Sequence, residues 1–136
     1  MTDLAAARAR FLARVEDLAP GQGVRFAPAL DELVAWSLGH GLAFDPPTGQ
    51  QSHVRFLAPA GKAHLWAATP RSGDGAKLTV GGPEELLADA RAVLARIGIK
   101  PGNPDRPPEV PFGCLIWAPY RASVLDLLGR LLPVAA

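Results

Sequence analysis

The side chains of this chain that are best suited to bind a ligand lie between positions 55 and 79 and combine cations, an imidazole, an indole and a hydroxyl: Arg55, His64, Trp66, Arg71, Lys77 and Thr79. Arginine and lysine bind phosphate and carboxylate groups, and an exposed indole stacks on bases and other planar rings. The two interactions together are typical of sheets that bind single-stranded nucleic acid. The residue types therefore predict a site for an anionic, planar ligand, provided that the backbone brings them onto one surface.

The backbone around these residues is expected to form a three-stranded antiparallel meander. Polar and apolar residues alternate at 53–58 and 63–69, with turn formers at 59–62 between the two runs. A third run, 76–80, follows a polar loop at 70–75.

The first turn sets the register of the first two strands. If its centre is Ala60-Gly61, Arg55 lies opposite Trp66, Leu57 lies opposite His64, and these four side chains share one face of the sheet. If the second loop closes symmetrically, Lys77 and Thr79 join that face, which must be at least partly exposed because of its polar groups. The opposite face is purely apolar and is the predicted core face: Val54, Phe56, Leu65, Ala67, Leu78 and Val80.

Two simpler interpretations stand beside the binding site. The loop 70–75 offers Arg71, backbone N–H groups and the nearby Lys77 to an anion, but Asp74 opposes this, and a plain hairpin loop explains the same residues. Trp66 is equally suited to lie under a helix or at a homodimer contact.

Composition excludes several classes of protein. A length of 136 residues fits one domain, residues 1–136, and a net charge of +1 gives no global attraction to nucleic acid or anionic membranes. The single cysteine, Cys114, allows no intrachain disulfide, which suits the cytoplasm, and its apolar neighbours favour a buried thiol over a nucleophile. We find no signal peptide, membrane span, metal-ligand spacing or cofactor motif, so no metal, cofactor or catalytic residue is predicted.

The remaining chain predicts an α+β domain of order ααβββαβα. Thr2 can cap a first helix that runs to about Leu18, and apolar spacing and end signals indicate further helices from about Pro28 to Leu38, at 83–97 and at 120–132. The residues expected to face inward are Leu30, Leu33, Val34 and Leu38 in the second of these helices and Val124, Leu127, Leu128 and Leu131 in the last. The segment 100–111 is an extended, proline-rich loop, and 112–118 reads as a fourth strand. For the third of these helices, Gly98 and Ile99 predict a glycine C-cap with a following apolar contact.

The hairpin and the helix after it resemble small bacterial α+β domains of the MmcQ/YjbR type. The resemblance is carried by VRFLAPAGKAHLW, by AKLTV running into PEELLADA, and by the late apolar strand and C-terminal helix, over roughly residues 53–132. Those domains are largely uncharacterised and have been suggested to bind DNA, so the resemblance implies an α+β fold and a DNA-binding expectation. The N-terminal helix pair and the proline loop depart from the pattern, and no functional residue is carried over.

Three functional hypotheses follow. The first is a non-enzymatic domain that binds an anionic small molecule or single-stranded nucleic acid on the mixed face of the sheet. The second is a protein interaction module or homodimer that buries Trp66 and Leu57 or uses the exposed loop 101–111. The third, a small enzyme, ranks last because no nucleophile, base and orienting group can be assembled from the sequence.

Overall fold

A computed structural model describes most of the chain and confirms the predicted α+β class. The described residues are 3–47, 51–57, 64–72, 75–81, 84–96, 98–99, 108–111 and 117–132. Within them, the elements follow the order α1 (Leu4–Leu18), α2 (Gln22–Gly39), β1 (Ala43–Asp45), β2 (Val54–Leu57), β3 (His64–Arg71), β4 (Gly75–Val80), α3 (Glu84–Arg96), β5 (Glu109–Pro111) and α4 (Trp117–Leu131).

The strands form one antiparallel sheet in the order β1-β2-β3-β4-β5. Helix α1 packs on β2, β3 and β4, α2 packs on β4, and α4 packs on β3. One face of the sheet forms a common core with these helices. We call it the inner face, and its side chains are Phe44, Val54, Phe56, Leu65, Trp66, Ala68, Ala76, Leu78, Val80 and Val110.

A bulge in β3 decides which side chains face the core. Leu57 pairs with His64 as predicted, but Phe56 then pairs with Trp66, so Leu65 is an extra residue without a partner on β2. The extra residue reverses the alternation beyond it, and Leu65 and Trp66 both point inward and are fully buried. Burying both side chains removes more apolar surface from water than regular alternation would, which favours the bulge.

The bulge corrects the predicted register. The predicted neighbour of Arg55 was Trp66, whereas the residue opposite Arg55 is Ala67. Ala67 was assigned to the core and lies instead on the opposite face, where it is only partly buried. The other predicted core residues of the meander are fully buried: Val54, Phe56, Leu65, Leu78 and Val80.

Helix α2 provides a hydrogen-bond acceptor for the buried indole. The Nε1–H group of Trp66 donates to Ser37 Oγ at 2.7 Å, and the Ser37 hydroxyl donates to the Leu33 carbonyl at 2.8 Å. Phe56 stacks on Trp66 with ring centroids 5.2 Å apart. The core stripe of α2 is Phe26, Leu30, Leu33 and Ser37, so the expectation that Leu38 packs inward is wrong.

Both N-terminal helices begin at other residues than predicted. The carboxylate of Asp3, not Thr2, caps α1 by accepting from the Ala6 N–H at 2.8 Å. Helix α2 starts at Gln22 and contains Pro28 instead of starting near it. Pro28 leaves the Val24 carbonyl without its helical donor, and the strong exposure of Val24 places that carbonyl near water.

The end of α3 has the predicted glycine cap. Gly98 takes a φ of 89° and donates to the Ala95 carbonyl at 3.1 Å, while the Ile99 N–H donates to the Leu94 carbonyl at 2.9 Å. This pair of bonds is the Schellman pattern, and the burial of Ile99 supplies its apolar contact.

The last strand and helix differ from the prediction in position. Trp117 already belongs to α4, so a strand at 112–118 is wrong at its end, and β5 lies earlier, at Glu109–Pro111. The inward residues predicted for the last helix are confirmed as buried: Val124, Leu127, Leu128 and Leu131. Residues 100–107 and 112–116, with Cys114, lie outside the described part. Among the described helices, none is long and apolar enough to cross a bilayer.

Candidate functional site

The face of the sheet that points away from the helices carries the polar side chains. We call it the outer face, and its residues are Ala43, Asp45, Arg55, Leu57, His64, Ala67, Thr69, Arg71, Lys77, Thr79 and Glu109. The strand register aligns five of these residues in one row across the whole sheet, in the order Asp45, Arg55, Ala67, Thr79 and Glu109. In this row, an acidic residue lies at each edge of the sheet and the methyl side chain of Ala67 lies at the centre.

Five of the six residues predicted to bind a ligand lie on the outer face: Arg55, His64, Arg71, Lys77 and Thr79. The sixth, Trp66, lies on the inner face with no exposed surface, so it cannot stack on a ligand. The predicted combination of cations with an exposed indole is therefore wrong in its aromatic part.

Asp45 links the side chains of Arg55 and His64 at one end of the row. Its Oδ2 atom accepts from Arg55 Nη2 at 3.1 Å and from His64 Nε2 at 2.9 Å. Because a carboxylate only accepts, the His64 Nε2 atom carries the proton in this bond. The three side chains keep 23% to 36% of their surface in water, so they are oriented by one another and still accessible.

Lys77 and Glu109 form the matching pair at the other end. The Lys77 ammonium lies 3.1 Å from Glu109 Oε1, and its side chain is 34% exposed. Thr69 lies opposite Lys77, and Thr79 lies between Ala67 and Glu109. Each of these two threonines is partly exposed, and their hydroxyls are available to donate to an anion beside Lys77.

The turn between β3 and β4 is shorter than predicted. Both strands extend to the pair formed by Arg71 and Gly75, so only 72–74 connect them, and of these only Ser72 is described. Pro70 fits inside β3 because β2 begins opposite Ala68, so no β2 residue faces the missing N–H group. Three residues of the loop that was considered as an anion site by itself, Pro70, Arg71 and Gly75, thus belong to strands.

His53 lies next to this charged cluster, just before β2. Burial, and after it the charge of Arg55, lowers the pKa of His53 below its ordinary value of 6.5, with Asp45 opposing and His64 adding to the shift. Among the described residues, neither His53 Nε2 nor Arg55 Nε has a hydrogen-bond partner, although both atoms are buried. The site therefore disfavours a second positive charge at His53.

The lowered pKa of His53 predicts a loss of stability in acid. As the pH falls below 6.5, the unfolded chain binds a proton at His53 that the folded chain does not, so the free energy of unfolding decreases until the folded pKa is reached. We expect the free energy of unfolding of His53→Gln, measured by urea unfolding, to fall less than that of the wild type as the pH is lowered through 6.5. His40→Gln, outside the cluster, is the control, and an equal pH dependence in His53→Gln and the wild type would contradict the prediction.

Among the described residues, sequence reasoning missed two grooves on the helical side. One, of about 240 Å³, runs between α3 and α4 and is lined by Ala90, Val93, Leu127 and Leu131 with Arg96 and Arg130 at its rim. This volume is below the range of about 300–1,000 Å³ that is usual for small-molecule sites. The other, of about 460 Å³, is wide open to solvent beside Trp36, His40 and Leu125. The first groove is thus too small, and the second too open, to enclose a small molecule.

Sequence reasoning also missed Asp45. The residue stands before Pro46-Pro47, a pair that is typical of a connector, and β1 is only three residues long. The one sequence signal for Asp45 was that an acidic residue directly follows a short apolar pair. In the described part of the chain, no group of three or more histidine, cysteine or acidic residues is placed to bind a metal ion.

Comparison with known proteins found no matching protein-family model, curated protein or solved structure. The resemblance to MmcQ/YjbR-type domains stays a prediction, and the functional argument below starts from the outer face alone.

Proposed function

We propose that this protein is a non-enzymatic binding domain that holds an anionic ligand on the outer face, the most specific candidate being the phosphate backbone of single-stranded nucleic acid. The observation that supports this is the row across the sheet: Arg55 stands on one side of the small Ala67, and Thr79 with Lys77 stands on the other. An extended chain of phosphates suits a flat, polar sheet face better than a compact ligand does.

The ion pairs at the two ends restrict the movement of the two cations. Asp45 holds Arg55 and Glu109 holds Lys77, each at 3.1 Å, so neither long side chain is free to move over its full range. A side chain that is already oriented loses less entropy when it binds a ligand. Three cations and two carboxylates give the outer face a net charge of +1, so attraction to an anion is expected to be modest and sensitive to salt.

The buried indole changes the kind of ligand that fits. With Trp66 in the core, no aromatic ring with a large stacking surface is available on the described outer face, and His64 offers only an imidazole. Binding should therefore depend on phosphate contacts and show little preference among bases. A reducing compartment such as the cytoplasm suits this chain, because it has a single cysteine.

An enzymatic role is less well supported. The pair formed by Asp45 and His64 has the oriented imidazole of a general base. Within the described residues, however, the His64 imidazole hydrogen-bonds only Asp45, so it holds no described hydroxyl or thiol as a nucleophile. The geometry thus favours binding over catalysis.

Anisotropy of a fluorescein-labelled oligothymidylate tests the proposal, since the buried Trp66 cannot report binding by quenching. We expect saturable binding at low salt that weakens as salt is raised. Lys77→Ala should weaken binding and reduce the slope of log affinity against log salt by about 1. Arg130→Ala is the control, because Arg130 is an exposed arginine on α4 that pairs with Asp126 away from the sheet.

Two results would contradict the proposal. One is the absence of any anisotropy change at the lowest salt, where phosphate contacts are strongest. The other is an equal loss of affinity in Lys77→Ala and Arg130→Ala, which would mean that the oligonucleotide binds cations anywhere on the protein and not the outer face.

A further inference from the structure

The solvent-facing side of α2 carries an apolar stripe that no described element covers. Among the described residues, the large apolar side chains with high exposure are Val24, at 84%, and Leu38, at 54%, and both belong to this helix. Between them, Pro28, Asp31 and Ala35 are also exposed. The steps from Val24 to Leu38 are four, three, four and three residues, which is the spacing of a helix face that packs against another helix.

The stripe is symmetric about its one charged residue. Asp31 stands seven residues after Val24 and seven before Leu38, which is about 10 Å along the helix in each direction. If two copies of α2 pack antiparallel with Asp31 at the crossing point, each Val24 meets the Leu38 of the other copy. One surface is then complementary to itself, as a two-fold interface requires.

The charge at the centre fits the same arrangement. Arg8 of α1 binds Asp31 through two bonds, from Nε at 2.6 Å and from Nη2 at 3.0 Å. Two copies bring two arginines and two aspartates together, and their charges sum to zero. Because Arg8 keeps donors on Nη1, each guanidinium can bond the carboxylate of the other copy without releasing its own.

We propose that this face of α2 is a homodimer interface, formed by antiparallel packing of α2 against α2 of a second copy. A contact along one helix pair lies at the small end of protein interfaces, so the dimer should be weak and form at high micromolar to millimolar concentration. The outer faces of the two sheets then point away from each other. This inference does not depend on the ligand of the outer face.

Sedimentation velocity over a concentration series tests the apolar part of the interface. Val24→Glu or Leu38→Glu places a charge opposite an apolar side chain twice in each dimer, so the dissociation constant should rise roughly a hundredfold. Ala122→Glu, at an exposed position of α4, adds the same charge elsewhere and should leave association unchanged. A chain that stays monomeric up to millimolar concentration overturns the proposal, as does a dimer that tolerates Val24→Glu and Leu38→Glu.

A mixing experiment tests the central charges. Asp31→Arg leaves each copy with two central cations, and Arg8→Glu leaves each copy with two central acids, so each variant alone should be monomeric. Equimolar mixing should restore association as a heterodimer, because only then do the charges oppose one another. Circular dichroism melting of each variant checks its fold, and two folded variants that fail to combine overturn the proposed interface.

Discussion

Trp66→Ala is expected to lower the free energy of unfolding by about 3–5 kcal/mol, the range for removing a large aromatic side chain from a core. Trp66 is the largest fully buried side chain in the described part of the protein, and Phe56 stacks against it. The substitution leaves a cavity between the sheet and α2. It also removes the donor to Ser37, whose hydroxyl still has the Leu33 carbonyl as its acceptor.

Urea unfolding followed by circular dichroism measures this loss without relying on tryptophan fluorescence. Trp36→Ala is the matched control, because Trp36 is only partly buried and contacts His40 at the surface with ring centroids 4.2 Å apart. We expect the control to cost less than half as much. If Trp66→Ala cost under about 1 kcal/mol, the indole would lie in solvent, as regular alternation along β3 predicts.

Gly81→Ala is expected to cost about 3 kcal/mol, at the upper end of the range for forcing an extra methyl group into a packed site. A Cβ atom on Gly81 would lie 2.0 Å from the carbonyl oxygen of His64. That carbonyl belongs to the bulge, and the Gly81 N–H donates to the next carbonyl, that of Leu65, at 2.8 Å. Relief of the clash would break this hydrogen bond or displace the bulged backbone of β3.

Gly39→Ala provides the control for the Gly81 substitution. No atom lies within 4 Å of a Cβ built on Gly39, which ends α2, so the added methyl group should be neutral or slightly stabilising. Thermal melts of the two variants give the comparison. Equal melting temperatures would contradict the close approach of Gly81 to β3.

The sequence predicts the sheet well where only one alternation fits. Val54 and Phe56 alternate with Arg55, and Leu78 and Val80 alternate with Lys77 and Thr79, so a single face can be buried in each strand. In β3, residues 65–68 are all apolar, and either alternation buries two of them. Residue polarity therefore does not distinguish the two alternations. Packing against α2 and β2 favours the bulge, because the bulge buries both large side chains.

Arg55, Lys77 and Thr79 share one face, as predicted, but the strand pairings on which that prediction was based are off by one residue. Arg55 pairs one residue further along β3 than expected, because of the bulge. Thr79 also pairs one residue further along β3, because the second turn is tighter than a symmetric six-residue loop. The two offsets cancel, so the polar residues stay together while Trp66 leaves their face.

The helix starts differ from the prediction because local signals were outweighed by packing. A proline is favoured in the first turn of a helix, which placed the start of α2 near Pro28. The fully buried Phe26 precedes this proline, and its ring is tilted against the ring of Phe11 with centroids 5.4 Å apart. This contact requires the helix to begin before Pro28. The free energy gained by burying the Phe26 ring exceeds the cost of the one helical hydrogen bond that is lost in an exposed turn.

The two edges of the sheet carry a consequence for self-association. β1 and β5 are three residues each, β1 is followed by Pro46 and Pro47, and β5 ends at Pro111. Short edge strands with proline beside them offer few free N–H and C=O groups on which another chain can add a strand. Growth of the sheet from one molecule to the next, the route to amyloid-like fibres, is therefore disfavoured at both described edges. Among the described elements, the faces of the sheet and the helices are the surfaces left for self-association.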